Sequence, residues 1–403
     1  MSRALVSGAS IAGLSAAYWL SRAGWEVTVL ERAPRFRDGG QNVDVRGVGR
    51  EVLDRMGLMA AARERNTTET ATVMVDEHGE VRAELPSEGP DGATAELEIL
   101  RGDLARIVLE VLPDEVDVRF GDTIAAVDDT GDEVVVTTEG GQRLTADLLV
   151  VAEGVRSSTR DLLFDDDEVD RRELGITMAF GTIPRTEDDD DRWRWYTTTG
   201  GRQVHLRPDP VGTTRAILAH ARDVDLTALD RDDVLARLRA VHGDAGWEAP
   251  RVLDGFATTD DLYVDHLTQI RMDAWHRGRT CVVGDAAWCV TPMGGGGATL
   301  ALVSGYVLAA YLATEDDLAT ALERHETWMR PLVDQIQGIP RGVTRMAFPE
   351  SRLGLLAQDL VLKVMTSPPL RGAAERFSQV ADTDQELPPW PAPGSPSGAI
   401  SRF

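Results

Sequence analysis

The first 32 residues leave little choice of fold. A short apolar run, "RALVSG", passes through the glycine-bearing turn "GASIAG" (Gly8 to Gly13) into a helical stretch ending at Gly24, and a second apolar run, "EVTVLER", follows. Strand, glycine turn, helix and strand in that order open a doubly wound α/β sheet. Gly8 permits the tight turn, and Gly13 lets helix and strand pack closely. The helix start, from Ser10 through Ile11, Ala12 and Gly13, offers free backbone N–H groups and the positive end of the helix dipole, which suits a pyrophosphate. Ser10 stands where the usual GxGxxG has its middle glycine; it is small and adds a hydroxyl donor. Glu31 ends the second strand about 20 residues on, placed to accept hydrogen bonds from an adenosine ribose, with Arg32 beside it. A glutamate there repels a 2′-phosphate, so NADP is a poor occupant.

A simple dinucleotide fold would go on repeating strand and helix. Here the texture changes from about Gly175 to Arg271 into alternating strands, "GITMAFGTIPR", "RWRWYTTT", "RQVHLRPD" and "TTRAILAHAR", before the first texture returns with "RTCVVGDAA". The sequence predicts an α/β protein whose Rossmann-like domain, residues 1–71, 99–174 and 272–340, is interrupted by a sheet-rich α+β domain, residues 72–98 and 175–271. Helices are expected over 341–385. The ending "ELPPWPAPGSPSGAISRF" is rich in proline, glycine and serine, so 386–403 reads as a disordered tail.

A second constraint is "TPMGGGGATLAL", where four glycines, Gly294 to Gly297, precede an apolar helix. Each glycine costs a helix roughly 1 kcal/mol relative to alanine, so something must approach this backbone closely.

Composition narrows the partners. The 403 residues carry a net charge of −25, which repels nucleic-acid phosphates and anionic membranes. Two cysteines, Cys281 and Cys289, match neither a redox pair nor a zinc half-site, as expected in a reducing cytoplasm, and the seven histidines show no metal-ligand spacing. No metal is expected; the acidic run Glu187 to Asp191 reads as a solvated loop. The most apolar run, Ala298 to Ala313, falls short of the ~20 residues that span a bilayer.

Four motifs in one order now define a resemblance. "GASIAG" with Glu31, "LRGDL" at Leu100 to Leu104, "AEGVRSSTR" at Ala152 to Arg160, and "GDAA" with "TPMGGGGATLAL" make the chain resemble single-component FAD-dependent aromatic monooxygenases, para-hydroxybenzoate hydroxylase and the tetracycline-inactivating monooxygenases among them. The resemblance runs to about residue 340. It implies that the Rossmann-like domain binds FAD and the inserted sheet binds substrate. It further implies that Arg101 reaches the pyrophosphate or ribityl chain, that Asp285 holds the ribityl hydroxyls, and that Pro292, Gly295, Gly297 and Ala298 lie along the flavin ring. Gly296, where relatives often carry glutamine, reads as dispensable. The implied reaction uses NADH or NADPH to reduce FAD; a flavin hydroperoxide then passes one oxygen atom from O2 to a small-molecule substrate, expected to be aromatic or polyketide-like. A monomer or homodimer is expected. Two departures stand out: Glu153 replaces the family's aspartate in a segment that serves FAD and nicotinamide, and Trp288 replaces a common histidine.

No nucleophile and base motif is present, and no catalytic residue is assigned. Candidates for the substrate pocket are Arg46, by positional resemblance, and Arg194, Tyr196, His205 and His220 on the inserted sheet. Alternation puts Arg194 and Tyr196 on one face of their strand and Trp193 and Trp195 on the other, and Gln203, His205 and Arg207 on a shared face; which face meets the flavin is not readable. Three alternatives stay open. "WRWYTT" resembles part of the halogenase motif WxWxIP, but its isoleucine and proline are missing and the only lysine is Lys363. An oxidase, dehydrogenase or cyclase of the same fold would transfer no oxygen, and a binding protein would not turn over.

Overall fold

The computed structural model describes residues 1–67, 69–86, 97–221, 225–338, 342–365 and 385–391. Strand Arg3–Ser7 lies at the heart of a six-stranded sheet, parallel to Glu26–Glu31 on one side and to Leu148–Val151 on the other. Asp117–Phe120 and Thr280–Val282 extend it in parallel, and His276–Arg277 closes one edge antiparallel. The central strands are apolar without alternation because both of their faces are buried.

Helix Ile11–Arg22 is clamped to this sheet backbone against backbone. A Cβ on Gly13 would stand 1.9 Å from the Gly8 carbonyl oxygen, and one on Gly8 would stand 2.4 Å from that of Ala152. On its other side lies the helix that the four glycines open, Gly297–Thr314: a Cβ on Gly305 would meet the Ala16 nitrogen at 2.5 Å, and the Ser15 hydroxyl donates to the Leu302 carbonyl at 2.7 Å. That 18-residue helix is long and apolar enough to cross a membrane, but 78% of it is buried inside the protein, which makes it a core helix.

The inserted region forms a seven-stranded sheet in the order Tyr263–Met272, Val169–Pro184, Thr213–Ala221, Arg202–Pro208, Arg192–Thr198, Ala71–Val75, Val81–Pro86. The 16-residue strand Val169–Pro184 runs straight across the boundary expected at 174/175. Residues 87–96 of the expected insertion lie outside the described residues, and Glu98–Leu100 pairs with Asn42–Asp44 in a separate two-stranded ribbon. One face of the large sheet is sealed by helices Arg231–His242 and Ala249–Thr258 over Val204, Leu206, Leu218 and Tyr196. The acidic run is more than a solvated loop: Asp189 pairs with Arg251, Asp190 with Arg192 and Arg194, and Asp191 with Arg185. Burial pushes the Asp190 carboxyl up, but the two arginines outweigh it and hold it at about 2.

Helices Val343–Ala347 and Arg352–Met365 follow; residues 341, 366–384 and 392–403 lie outside the described residues. The expected disordered tail is corrected over 386–391, which docks on the Rossmann-like domain. Leu387 is buried, Tyr306 donates to the Pro388 carbonyl at 2.7 Å, the Trp328 indole donates to the Glu386 carbonyl at 3.2 Å, and Trp390 packs 4.8 Å from Trp19. Composition alone counts the prolines and overlooks two side chains large enough to anchor them. Trp390→Ala is expected to cost about 2 kcal/mol of stability in urea unfolding; an unchanged midpoint would show that this segment is not anchored.

Candidate active site

The pyrophosphate end of the site follows from the glycine contacts. Ser10 makes no side-chain cap for helix Ile11–Arg22, so the first N–H groups of the helix lack an intrahelical or capping partner. The Arg101 guanidinium reaches this point and donates to the Ser10 hydroxyl at 3.1 Å. Its own helix is held against the loop before it: a Cβ on Gly102 would meet the Asp38 carbonyl oxygen at 1.9 Å, and the Arg101 N–H donates to the Gln41 carbonyl at 3.0 Å. Glu31 accepts from the N–H groups of Ala9 at 2.9 Å and Ala33 at 2.8 Å, which fixes its carboxylate beside the turn with lone pairs to spare for a ribose. Arg32 is exposed at the end of the strand.

Asp285 faces the same opening. Gly284, with φ 63° and ψ −149°, turns the chain so that a Cβ would press on the Ala12 methyl at 2.8 Å, and Asp285 therefore stands over the start of helix Ile11–Arg22. Its side chain is open to solvent, yet burial raises its pKa while Arg101 opposes the shift. An acid that solvent reaches but protein surrounds lies on the floor of a cleft. Tyr263 behaves likewise: it is 52% exposed, burial pushes its hydroxyl up to about 12, and Arg101, Arg156 and Asp285 act on it from across the opening.

The glycine loop borders this cleft. Thr291 takes φ 63°, rare for a β-branched residue, and Pro292 follows it, exposed. Gly295 has φ 64° and ψ −175°, a region open essentially to glycine, and Gly296 is left-handed at φ 69°. Gly297 begins the helix, and Ala298 is buried in its first turn. The reading of Gly296 as dispensable is thus corrected: its backbone needs glycine more than that of Gly297 does, because φ decides and φ is not written in the sequence.

Buried polar atoms without a partner among the described residues recur here: Gln41 Oε1, both amide atoms of Asn42, and Thr291 Oγ1. Such atoms call for a ligand or water. The carbonyl, imide and hydroxyl groups of FAD supply that chemistry, so these residues fit it.

Both departures from the family pattern are engaged by neighbours within the protein. Glu153 accepts from the hydroxyls of Ser7, Ser157 and Thr159 at 2.5–2.7 Å and from the Thr159 N–H at 3.0 Å, which pins the "AEGVRSSTR" segment to the central strand. Arg160, 1% exposed, completes the clamp by donating to the carbonyls of Val155 and Ala286. Trp288 is also 1% exposed and packs on Trp275 at 4.3 Å inside the core.

The large sheet presents its other face to the cleft. Register places Trp195 opposite His205 and Thr197 opposite Gln203, and puts Phe180 opposite Ile217 on that same side, where Met293 of the glycine loop packs. Three pocket candidates are therefore corrected. Tyr196 points into the sealed face and donates to the Ala245 carbonyl at 2.9 Å; Arg194 shares that face, bound to Asp190; His220 is buried there 3.3 Å from His242. His205 faces the cleft side but is 1% exposed, and burial lowers its pKa to about 3. Arg46 pairs with Asp44 and its N–H donates to Thr299 at 3.0 Å, next to the glycine loop.

Comparison with known proteins agrees with this geometry. The family described as "FAD binding domain" matches residues 1–323, and the chain belongs to it. It is 30% identical to the "FAD-dependent monooxygenase asL4" of Sarocladium schorii, over 96% of this chain and 98% of that one. It is 33% identical to the "Flavin-dependent monooxygenase eupH" of Phoma sp, over 88% and 89%. Among solved structures, tetracycline destructase Tet(51) superposes with a TM-score of 0.79 at 26% identity, covering 96% of this chain and all of the other. The protein is an FAD-dependent monooxygenase of the para-hydroxybenzoate hydroxylase type, and FAD is its cofactor.

Two predictions follow from the loop and the wall. In urea unfolding of FAD-free protein, Gly295→Ala costs about 2–3 kcal/mol, Gly296→Ala about 1 kcal/mol and Gly297→Ala near nothing; a loss at Gly297 equal to that at Gly295 would contradict the backbone assignment. His205 is neutral when folded and titrates near 6.5 when unfolded. The unfolded chain thus binds the extra proton between about pH 6.5 and pH 3, and stability falls as pH falls through that window by roughly 1.4 kcal/mol per unit. His205→Gln removes that share of the acid sensitivity; an unchanged slope would place the imidazole in water.

Proposed function

We propose that the enzyme takes electrons from NADH or NADPH and inserts one oxygen atom from O2 into an aromatic or polyketide-like small molecule. The observation that carries this reading is a single cleft bordered by the start of helix Ile11–Arg22, by Asp285, by the glycine loop and by the apolar face of the inserted sheet. Bound FAD supplies the redox chemistry with nicotinamide and oxygen. The helix start and Arg101 hold the pyrophosphate, Glu31 the adenosine ribose, and Asp285 the ribityl hydroxyls, while the N–H groups at the entrance of helix Gly297–Thr314 stabilise negative charge at the flavin edge. The sheet wall excludes water from the reacting end. The enzyme works as a monomer or homodimer in the cytoplasm, without nucleic-acid or membrane partners. The buried, unpaired Cys281 and Cys289 accord with that compartment.

The reading without oxygen transfer gains no support from Glu153 and Trp288, which are both engaged in contacts inside the protein. Oxygen uptake coupled to NAD(P)H oxidation, followed over a panel of phenols and polyketide-like compounds, is expected to give a product one oxygen atom heavier. Flavin reduction with no labelled oxygen entering any product would overturn the proposal. Asp285→Asn is expected to weaken FAD binding at least ~10-fold in a fluorescence titration; an unchanged Kd would remove Asp285 from the ribityl site.

A further inference from the structure

We infer that Phe348 sets how long a ring system the substrate site accepts, and that the part of the substrate along the same face carries no negative charge. The inference rests on the monooxygenase reading of the same site.

Among the described residues there are two domain cores and a third, smaller apolar cluster that belongs to neither. Separate stretches of chain build it: Met178 and Phe180 from one strand and Ile217 and Ala219 from its neighbour on the cleft side of the sheet, Met293 from the glycine loop, and Phe348 from the segment after helix Val343–Ala347. Phe348 is 2% exposed although its own segment lies at the surface, between the exposed side chains of Met346 and Leu353. It is held in place by hooks on either side. Gln203 donates its amide to the Ala347 carbonyl at 2.7 Å, and the N–H groups of Gly201 and Gly200 donate to the carbonyls of Pro349 and Glu350 at 3.1 and 3.0 Å. Gly200 and Gly201 have φ of 77° and 62°, the hairpin geometry that turns both N–H groups outward to the segment. A phenyl ring is thus carried from outside the sheet onto its substrate face and fixed there.

The same face offers no free cation to a ligand, and Asp265, paired in register with Met178, adds a carboxylate to it. His205 is neutral, and its Nε2 lies 3.2 Å from Gln203 Oε1. Arg207 and Arg215 stand opposite each other on this face and both are bound by carboxylates: Arg207 by Glu69 and Glu98, lying 4.0 Å over the Trp193 ring, and Arg215 by Asp209 and Asp261. Two carboxylates on one guanidinium leave nothing positive for a substrate carboxylate. Flat rings that enter beside the exposed Tyr263 run along this face towards Met293, and Phe348 marks where they must stop.

The test is calorimetric titration of FAD-loaded protein with phenol, 2-naphthol, 2-anthrol and 4-hydroxybenzoate. Phe348→Ala is expected to raise affinity for 2-anthrol relative to phenol at least ~10-fold by opening one ring's length of apolar space, with FAD content unchanged, and Phe348→Leu about threefold. In wild-type protein 4-hydroxybenzoate binds more weakly than phenol. An unchanged ring-size ratio in folded, FAD-loaded Phe348→Ala overturns the role of Phe348. Should that variant not fold, an unchanged ratio in Phe348→Leu overturns it equally, and preferred binding of 4-hydroxybenzoate overturns the claim that the wall has no free cation. Failure of the oxygenation reading itself is a separate result: the ring-size ratio shifts, and no product gains oxygen.

Discussion

Everything at the site depends on helix Ile11–Arg22 lying closer to its neighbours than any side chain allows. Gly13 presses it on the Gly8 carbonyl at the end of the central strand, Gly8 lies in turn on the Ala152 carbonyl at the end of the neighbouring strand, and Gly305 presses the helix Gly297–Thr314 on its other side, in each case with backbone where a methyl group would sit. These contacts bring two helix N-termini into one cleft. The first meets Arg101 and Asp285, and the second begins at the glycine loop. Dispersion and burial across the helix pair hold that arrangement, and the electrostatics of both termini then act on whatever enters.

The site otherwise works by positioning. Its ionisable groups fall into two sets with different jobs. Arg101, Arg156 and Asp285 face the opening, where FAD brings its own charges. Glu153, Arg160, Arg207 and Glu98 are saturated by partners inside the protein and serve as clamps. The second set explains why the family pattern tolerates a longer acid at Glu153. Four donors converge on its carboxylate from Ser7, Ser157 and Thr159, so the change is absorbed locally.

Much of the nucleotide half was legible in the sequence because its constraints are local. Gly8, Ser10, Gly13 and Glu31 follow one another within one strand–helix–strand unit, and their spacing carries the geometry. The inserted sheet was legible only as strands. Alternation separates Arg194 and Tyr196 from Trp193 and Trp195, but it cannot say which pair faces the cleft. That was decided by helices Arg231–His242 and Ala249–Thr258, which seal the other face from more than 30 residues away in sequence. Gly296 was misread because the residue type alone does not reveal a positive φ, and the 386–391 segment because two anchoring side chains outweigh its loop-like composition. Phe348 left no local signal, since its role depends on hooks from Gly200, Gly201 and Gln203 in another part of the chain.

The central claim is that this cleft binds FAD in a form that nicotinamide can reduce. The visible spectrum of the purified protein, after addition of FAD and gel filtration, tests it most directly. The account predicts a yellow protein with one flavin per chain whose colour bleaches on adding NADH or NADPH without oxygen and returns with air. A protein that stays colourless after reconstitution would contradict it.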